Sequence, residues 1–242
     1  AYRCALRLMS EGETPVGVTG LSDCGKALLA CAAGENGAVL FAPDETACRQ
    51  IAENIAGFGA NVIQYPYCDV LLHGVEGASR EFMHKRLAVL RALSEGERPI
   101  VVATPAAAAQ LVIPRELLMK SSMRLSRGQV IPLETLCERL AAAGYARCPI
   151  VEGAGQFSRR GGIVDVFVPG QEQPVRIEFF GDEIDTMNSF DAMTQRRGDG
   201  VEELDLPPAS HLISDQPVRE KLEELVKKYA RRKSGAAMRA EL

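Results

Sequence analysis

The sequence predicts an α/β chain in two parts: a parallel-sheet domain, then a small α+β domain with an antiparallel sheet and one helix. Two observations carry this. Strand and helix signals alternate through residues 1–116, the pattern of a parallel sheet with helices on its faces. From about residue 117 the strand runs crowd together, and Gly153, Gly155, Gly161, Gly170 and Gly181 mark the turns between them.

Residues 16–19 form a short β run that ends in a glycine turn, and a helix carrying Leu28, Leu29 and Ala32 follows. Residues 38–41 are a second strand. Asp44 has the character of an N-cap, and Ala47, Ile51 and Ile55 lie on one face at helical spacing. Gly57 and Gly59 can end that helix. Residues 61–63 are a third strand. Ser79 is a candidate cap for a helix carrying Met83, Leu87 and Leu90. Residues 99–103 are short, apolar and β-branched, as in a strand buried on both faces.

In the second part, residues 118–126 read as a strand. Residues 133–143 read as a helix with Leu133, Leu136 and Leu140 inward, ended by Gly144. Strands follow at 147–151, 156–159, 162–168, 174–180 and 183–190. Pro207 and Pro208 punctuate again. From Pro217 an amphipathic helix is expected, with acids first and bases last, which suits the helix dipole.

The bulk properties exclude several classes. A formal net charge of −4 over 242 residues provides no global attraction to nucleic acid or anionic membranes. No apolar run is long enough to span a bilayer, and no signal-peptide pattern is seen. The 7 cysteines include no C-x-x-C pair, and the 3 histidines are far apart. Reduced thiols in a cytoplasmic protein, with no metal site, are expected.

Residues 20–27, G-L-S-D-C-G-K-A, match a phosphate loop and fail at its last position. Gly20, Gly25 and Lys26 fit. Ala27 stands where a hydroxyl would ligate Mg²⁺, and Asp23 adds negative charge where phosphates would sit. The strand at 100–103 ends in Thr104 and Pro105, not in the acid that would orient the metal. The loop is therefore expected to be a degenerate scaffold turn that hydrolyses nothing, and no cofactor is expected.

The densest signal lies at 155–196. Alternation places Arg176, Glu178 and Phe180 on one face of a strand and Val175, Ile177 and Phe179 on the other. Exposed arginine beside an aromatic ring is the composition of a docking hot spot. The same residues also suit cross-strand ion pairs on a solvated sheet face. Physics alone favours the second of these readings.

The runs R-G-G-I-V-D-V-F (160–167), P-V-R-I-E-F-F-G-D-E-I-D (174–185) and F-D-x-x-T-Q-R (190–196) resemble the bacterial transcription-repair coupling factors (Mfd) and, more distantly, the excision-repair protein UvrB. The degenerate loop is similar to that of the coupling factors, whereas UvrB keeps a working one. The resemblance extends from about 17 to 209. It is looser over 65–81, where Leu72, His73 and Gly74 depart from the family pattern and only Tyr65 and Tyr67 are aromatic.

This resemblance implies that the second domain is inserted into the first. Residues 1–116 would be the P-loop-like domain, 117–204 the insert, and 205–242 the return to the first domain with a C-terminal helix. It implies UvrA as partner, contacted by Arg160, Arg176, Phe180 and, more weakly, Glu178. It also implies a parent protein that is an ATP-dependent DNA translocase, meeting RNA polymerase and DNA through parts absent here, so the chain is expected to be an N-terminal fragment. Two other functions are weighed: a nucleotide-binding enzyme, disfavoured by Ala27, and a DNA-binding domain using Arg159, Arg160, Arg196 and Arg197.

Overall fold

The structure, a computed structural model, describes residues 2–12, 15–68, 80–211, 213, 221, 223–225 and 227. The proposed Ser79 cap, Leu72 to Gly74 and most of the helix from 217 lie outside the described residues. The chain divides into two units, at Arg115 and Glu116.

The first unit contains α1 (Tyr2–Ser10), α2 (Asp23–Ala33), β1 (Ala38–Phe41), α3 (Glu45–Gly57), β2 (Val62–Tyr65), α4 (Arg80–Ser94), β3 (Ile100–Ala103) and α5 (Pro105–Ala108). Its sheet has the order β1-β3-β2, and both pairings are parallel. All four residues of β3 are buried, as a central strand requires. Alternation sends Ile100 and Val102 to one face, against Ala27, Ala30 and Ile55. Val101 and Ala103 go to the other, against Tyr65, Val89 and Ala107.

The Asp44 carboxylate caps α3, accepting from the Ala47 N–H at 2.8 Å. Arg86 on α4 is an unexpected core residue, 1% exposed. It donates to the Pro66 and Ala107 carbonyls at 3.0 and 3.2 Å, and its guanidinium lies 4.1 Å from the Tyr65 ring centre. Its charge is thus dispersed over two carbonyls and a ring.

The expected strand at 16–19 does not form. Those residues are half-exposed or exposed and pair with no strand. Gly17 offers no side chain to bury, so Val16 and Val18 alone cannot hold an edge position.

After α6 (Arg115–Ser121), the second unit runs β4 (Met123–Ser126), α7 (Leu133–Ala142), β5 (Ala146–Arg147), β6 (Gln156–Arg160), β7 (Ile163–Phe167), β8 (Val175–Phe180), β9 (Glu183–Phe190), β10 (Arg197–Gly200) and β11 (Glu203–Leu206). The expected strand at 118–126 is half helix. Pro114 followed by Glu116, Leu117, Leu118, Met119 and Lys120 favours α6 locally, and the strand is left with four residues. The expected strand at 147–151 is reduced to β5, because Pro149 cannot donate to a ladder.

Six strands form one sheet in the order β10-β9-β8-β7-β6-β5, with β5–β6 the one parallel pair. Its inner face packs on α7, burying Leu136, Leu140, Val164, Val166, Val175, Ile177, Ile184 and Met187. A separate ladder pairs β11 with β4. This ladder carries the second unit past residue 204. Tyr145 donates its hydroxyl to the Pro207 carbonyl at 2.8 Å, and Ala209 N–H donates to Ala143 at 2.9 Å. The chain passes so close to α7's end that only glycine fits at 144. There φ is +86°, and an added Cβ would lie 2.3 Å from that of Ser210.

None of the seven cysteines forms a disulfide. Burial pushes the Cys48 and Cys137 thiols above their usual pKa, which keeps them protonated and inert. Among the described residues no group of His, Cys, Asp or Glu could hold a metal ion, and no helix is long and apolar enough to cross a membrane.

Candidate protein-docking face

The outer face of the six-stranded sheet is built by register. The hairpin between β6 and β7 turns on Gly161 and Gly162, with Gly161 at φ +59°, and so pairs Arg160 with Ile163 and Ser158 with Asp165. The β7–β8 register places Asp165 opposite Arg176 and Ile163 opposite Glu178. The β8–β9 register adds Asn188 beside Arg176 and Thr186 beside Glu178. Two rows result, Ser158–Asp165–Arg176–Asn188 and Arg160–Ile163–Glu178–Thr186. The parity read from sequence holds: Val175 and Ile177 are buried, Phe179 packs against the core, and Arg176, Glu178 and Phe180 face outward.

Asp165 organises this face. Its side chain is 3% exposed, and its carboxylate accepts from Arg176 Nε at 2.7 Å and Nη2 at 2.9 Å, a bidentate pair. The Arg160 Nη2 donates to the same carboxylate at 2.9 Å. One buried anion thus holds both predicted arginines. The hydrogen bonds to Asp165 push the Arg176 guanidinium further above its already high pKa, so it stays charged throughout the physiological range.

The remaining contacts of Arg176 come from the F-D-x-x-T-Q-R segment. The guanidinium lies 4.6 Å from the Phe190 ring centre, and its Nη2 donates to Gln195 Oε1 at 3.0 Å. Asp191 builds the turn that delivers Gln195, accepting from the N–H groups of Met193 and Thr194 and from the Thr194 hydroxyl. Hydrogen bonds from Thr194 hold the Asp191 carboxyl below the usual range. Gln195 itself sits at φ +60°, the one positive-φ non-glycine among the described residues.

Glu178 accepts from the Thr186 hydroxyl at 3.0 Å. Phe180, at the end of β8, is 83% exposed. The face therefore presents oriented guanidiniums, a carboxylate and a bare aromatic ring, the chemistry of a protein hot spot. Arg159 belongs elsewhere. It has the opposite parity and pairs with Glu134 of α7, which removes it from the basic patch that a DNA-binding reading needs.

Asp165, Phe190 and Gln195 escaped the sequence reading as members of this face. In the sequence Asp165 stands as one acid within the apolar run 163–168. Pairing across the Gly161–Gly162 turn would have placed it beside Arg176.

The loop at 20–27 is arranged differently from a phosphate cradle. Helix α2 begins at Asp23, and the Ser22 hydroxyl takes the Gly25 N–H at 3.2 Å. Lys26 donates to Asp23 at 2.9 Å, and both side chains are exposed. Ala27 is buried in the core of the unit. The N–H and the ammonium that would meet a phosphate both have partners within the loop.

Residues 123–212 match the family described as the UvrB interaction domain. The chain is 37% identical to the transcription-repair-coupling factor of Bacillus subtilis over 153 residues, covering 63% of this chain and 13% of that protein. It is 32% identical to that of Myxococcus xanthus over 203 residues, covering 80% and 17%. For the Staphylococcus aureus protein the identity is 34% over 167 residues, covering 69% and 14%. The chain thus spans less than a fifth of the length of these relatives. Geometry and similarity meet on one segment: the sheet face lies within residues 123–212, which match the UvrB interaction domain, in a chain similar over most of its length to bacterial transcription-repair-coupling factors.

Proposed function

We propose that the outer face of the six-stranded sheet docks UvrA, and that the chain is the non-catalytic, UvrB-like recruiting module of a coupling factor acting in the cytoplasm. The observation that carries this is the Asp165 clamp, which orients Arg160 and Arg176 beside an exposed Phe180. Preorganised guanidiniums lose little freedom on binding, and a bare ring gains by being covered. Glu178 stands in the same row as Arg160 and would add a hydrogen-bond acceptor to the contact. RNA polymerase and DNA would be met by other parts of the longer protein, where an ATP-driven translocase would reside. Calorimetric titration of UvrA with the purified chain is expected to give saturable binding. Arg160→Ala, whose side chain is 51% exposed, should weaken it about tenfold with an unchanged melting temperature. No binding by the wild-type chain would end this reading.

The chain is expected to turn over no ATP. Ala27 replaces the metal-ligating hydroxyl, Ser22 occupies the Gly25 N–H and Asp23 occupies Lys26. Phosphate release from Mg-ATP should stay at the buffer rate for the wild type and for Lys26→Ala alike. Turnover that disappears in Lys26→Ala would show a working site.

A further inference from the structure

Beside Arg176 the docking face contains a hollow of about 50 Å³, lined by Arg176, Glu178, Asn188, Ser189, Phe190 and Arg197. Asn188 is 7% exposed, and its amide nitrogen is buried with no hydrogen-bond partner. An orphaned buried donor is costly, so a native fold tolerates one chiefly where something else completes it. The register shows why this nitrogen is left open. Asn188 has Arg176 on one side and Gly200 on the other, and Gly200 has no side chain to lay over it. Arg176 already donates to Asp165 and Gln195 and has no acceptor to lend. Glu178 accepts from Thr186. Arg197, exposed on the edge strand β10, forms no ion pair among the described residues. The hollow is therefore rich in donors and short of one acceptor.

We infer that this hollow receives a carboxylate side chain of the docking partner, with Asn188 donating to one oxygen and Arg197 supplying the countercharge. The inference rests on the reading of this face as the UvrA-docking surface and names the chemistry of one contact within it. A carboxylate fits better than a neutral carbonyl because the Arg197 guanidinium on the rim has no ion-pair partner among the described residues, whereas Arg176 is already paired with Asp165. Asn188 would then act in specificity: a partner without an acid at this point leaves the amide nitrogen unpaired in a closed interface.

The test measures UvrA affinity for the wild-type chain and for Asn188→Asp, Arg197→Gln and Phe180→Ala, with the fold of each checked by circular dichroism. Asn188→Asp places like charge against the incoming acid and is expected to weaken binding at least thirtyfold. Arg197→Gln is expected to weaken it about tenfold and to flatten its dependence on salt. If Phe180→Ala binds weakly while Asn188→Asp and Arg197→Gln bind as wild type, the docking face stands and the carboxylate hollow is overturned. If Phe180→Ala also binds as wild type, the docking reading falls and the hollow falls with it. Should Asn188→Asp fail to fold, the exposed Arg197→Gln decides alone: wild-type affinity overturns the inference.

Discussion

Phe180→Ala is expected to remove most of the affinity for UvrA, by about 2 kcal/mol or more, roughly thirtyfold in Kd. Its melting temperature should match the wild type. The ring is 83% exposed and lies outside the core cluster, so the folded chain loses almost nothing when it is cut back. In a complex the same ring would be covered, and burial of a phenylalanine side chain contributes about 1.5–3 kcal/mol. Phe179 is the internal control. It packs against the core from the opposite side of the strand, so Phe179→Ala should lower stability while leaving the outer face chemically intact. Titration calorimetry and thermal melts on the two variants separate docking from folding. Equal binding by Phe180→Ala and wild type would remove the ring from the contact.

Asp165→Ala should carry the largest stability cost of any change on this face, about 3 kcal/mol. Two guanidiniums would lose their shared counterion, and Arg176 would remain three-quarters buried with only Gln195 as a polar partner. The value is set at the low end for a broken buried pair because Arg176 keeps some access to water. Asp165→Asn keeps the shape and one acceptor and should cost less. Urea unfolding followed by circular dichroism gives both numbers. The folded fraction of Asp165→Asn should also bind UvrA more weakly, because Arg160 and Arg176 would no longer share one anchor. Stability equal to the wild type in Asp165→Ala would mean that the clamp is dispensable. The same clamp complicates Arg176→Ala as a test of docking, since that variant leaves the Asp165 carboxylate buried with Arg160 as its remaining ion-pair partner.

Local patterns were enough for much of the second unit. The first four residues of β8 alternate, glycines mark the turns on either side of β7 and after β8, and α7 repeats leucine at helical spacing. Period and turn chemistry are properties of neighbouring residues, so they can be read directly from the chain. The outward side of Arg176, Glu178 and Phe180 follows from the same period. The failures have separate causes. At 16–19 a strand-like run found no partner, and at 118–126 helix-forming residues followed a proline and prevailed over an apolar pattern. Short segments have weak intrinsic preferences, and their state depends on what they pack against.

The departure of residues 20–27 from the phosphate-loop pattern at Ala27, the division into two units and the face of β8 that looks outward are all written in residue types and spacing. The joining of Arg160, Arg176 and Gln195 around Asp165 is not. Those residues lie on different strands and a turn, and their meeting depends on hairpin register, which brings Asp165 opposite Arg176 across a shared ladder. The same register leaves the Asn188 amide nitrogen unpartnered beside Gly200. Hydrogen bonds between strands are non-local, so the oriented arginines and the open donor become visible only once the sheet is assembled.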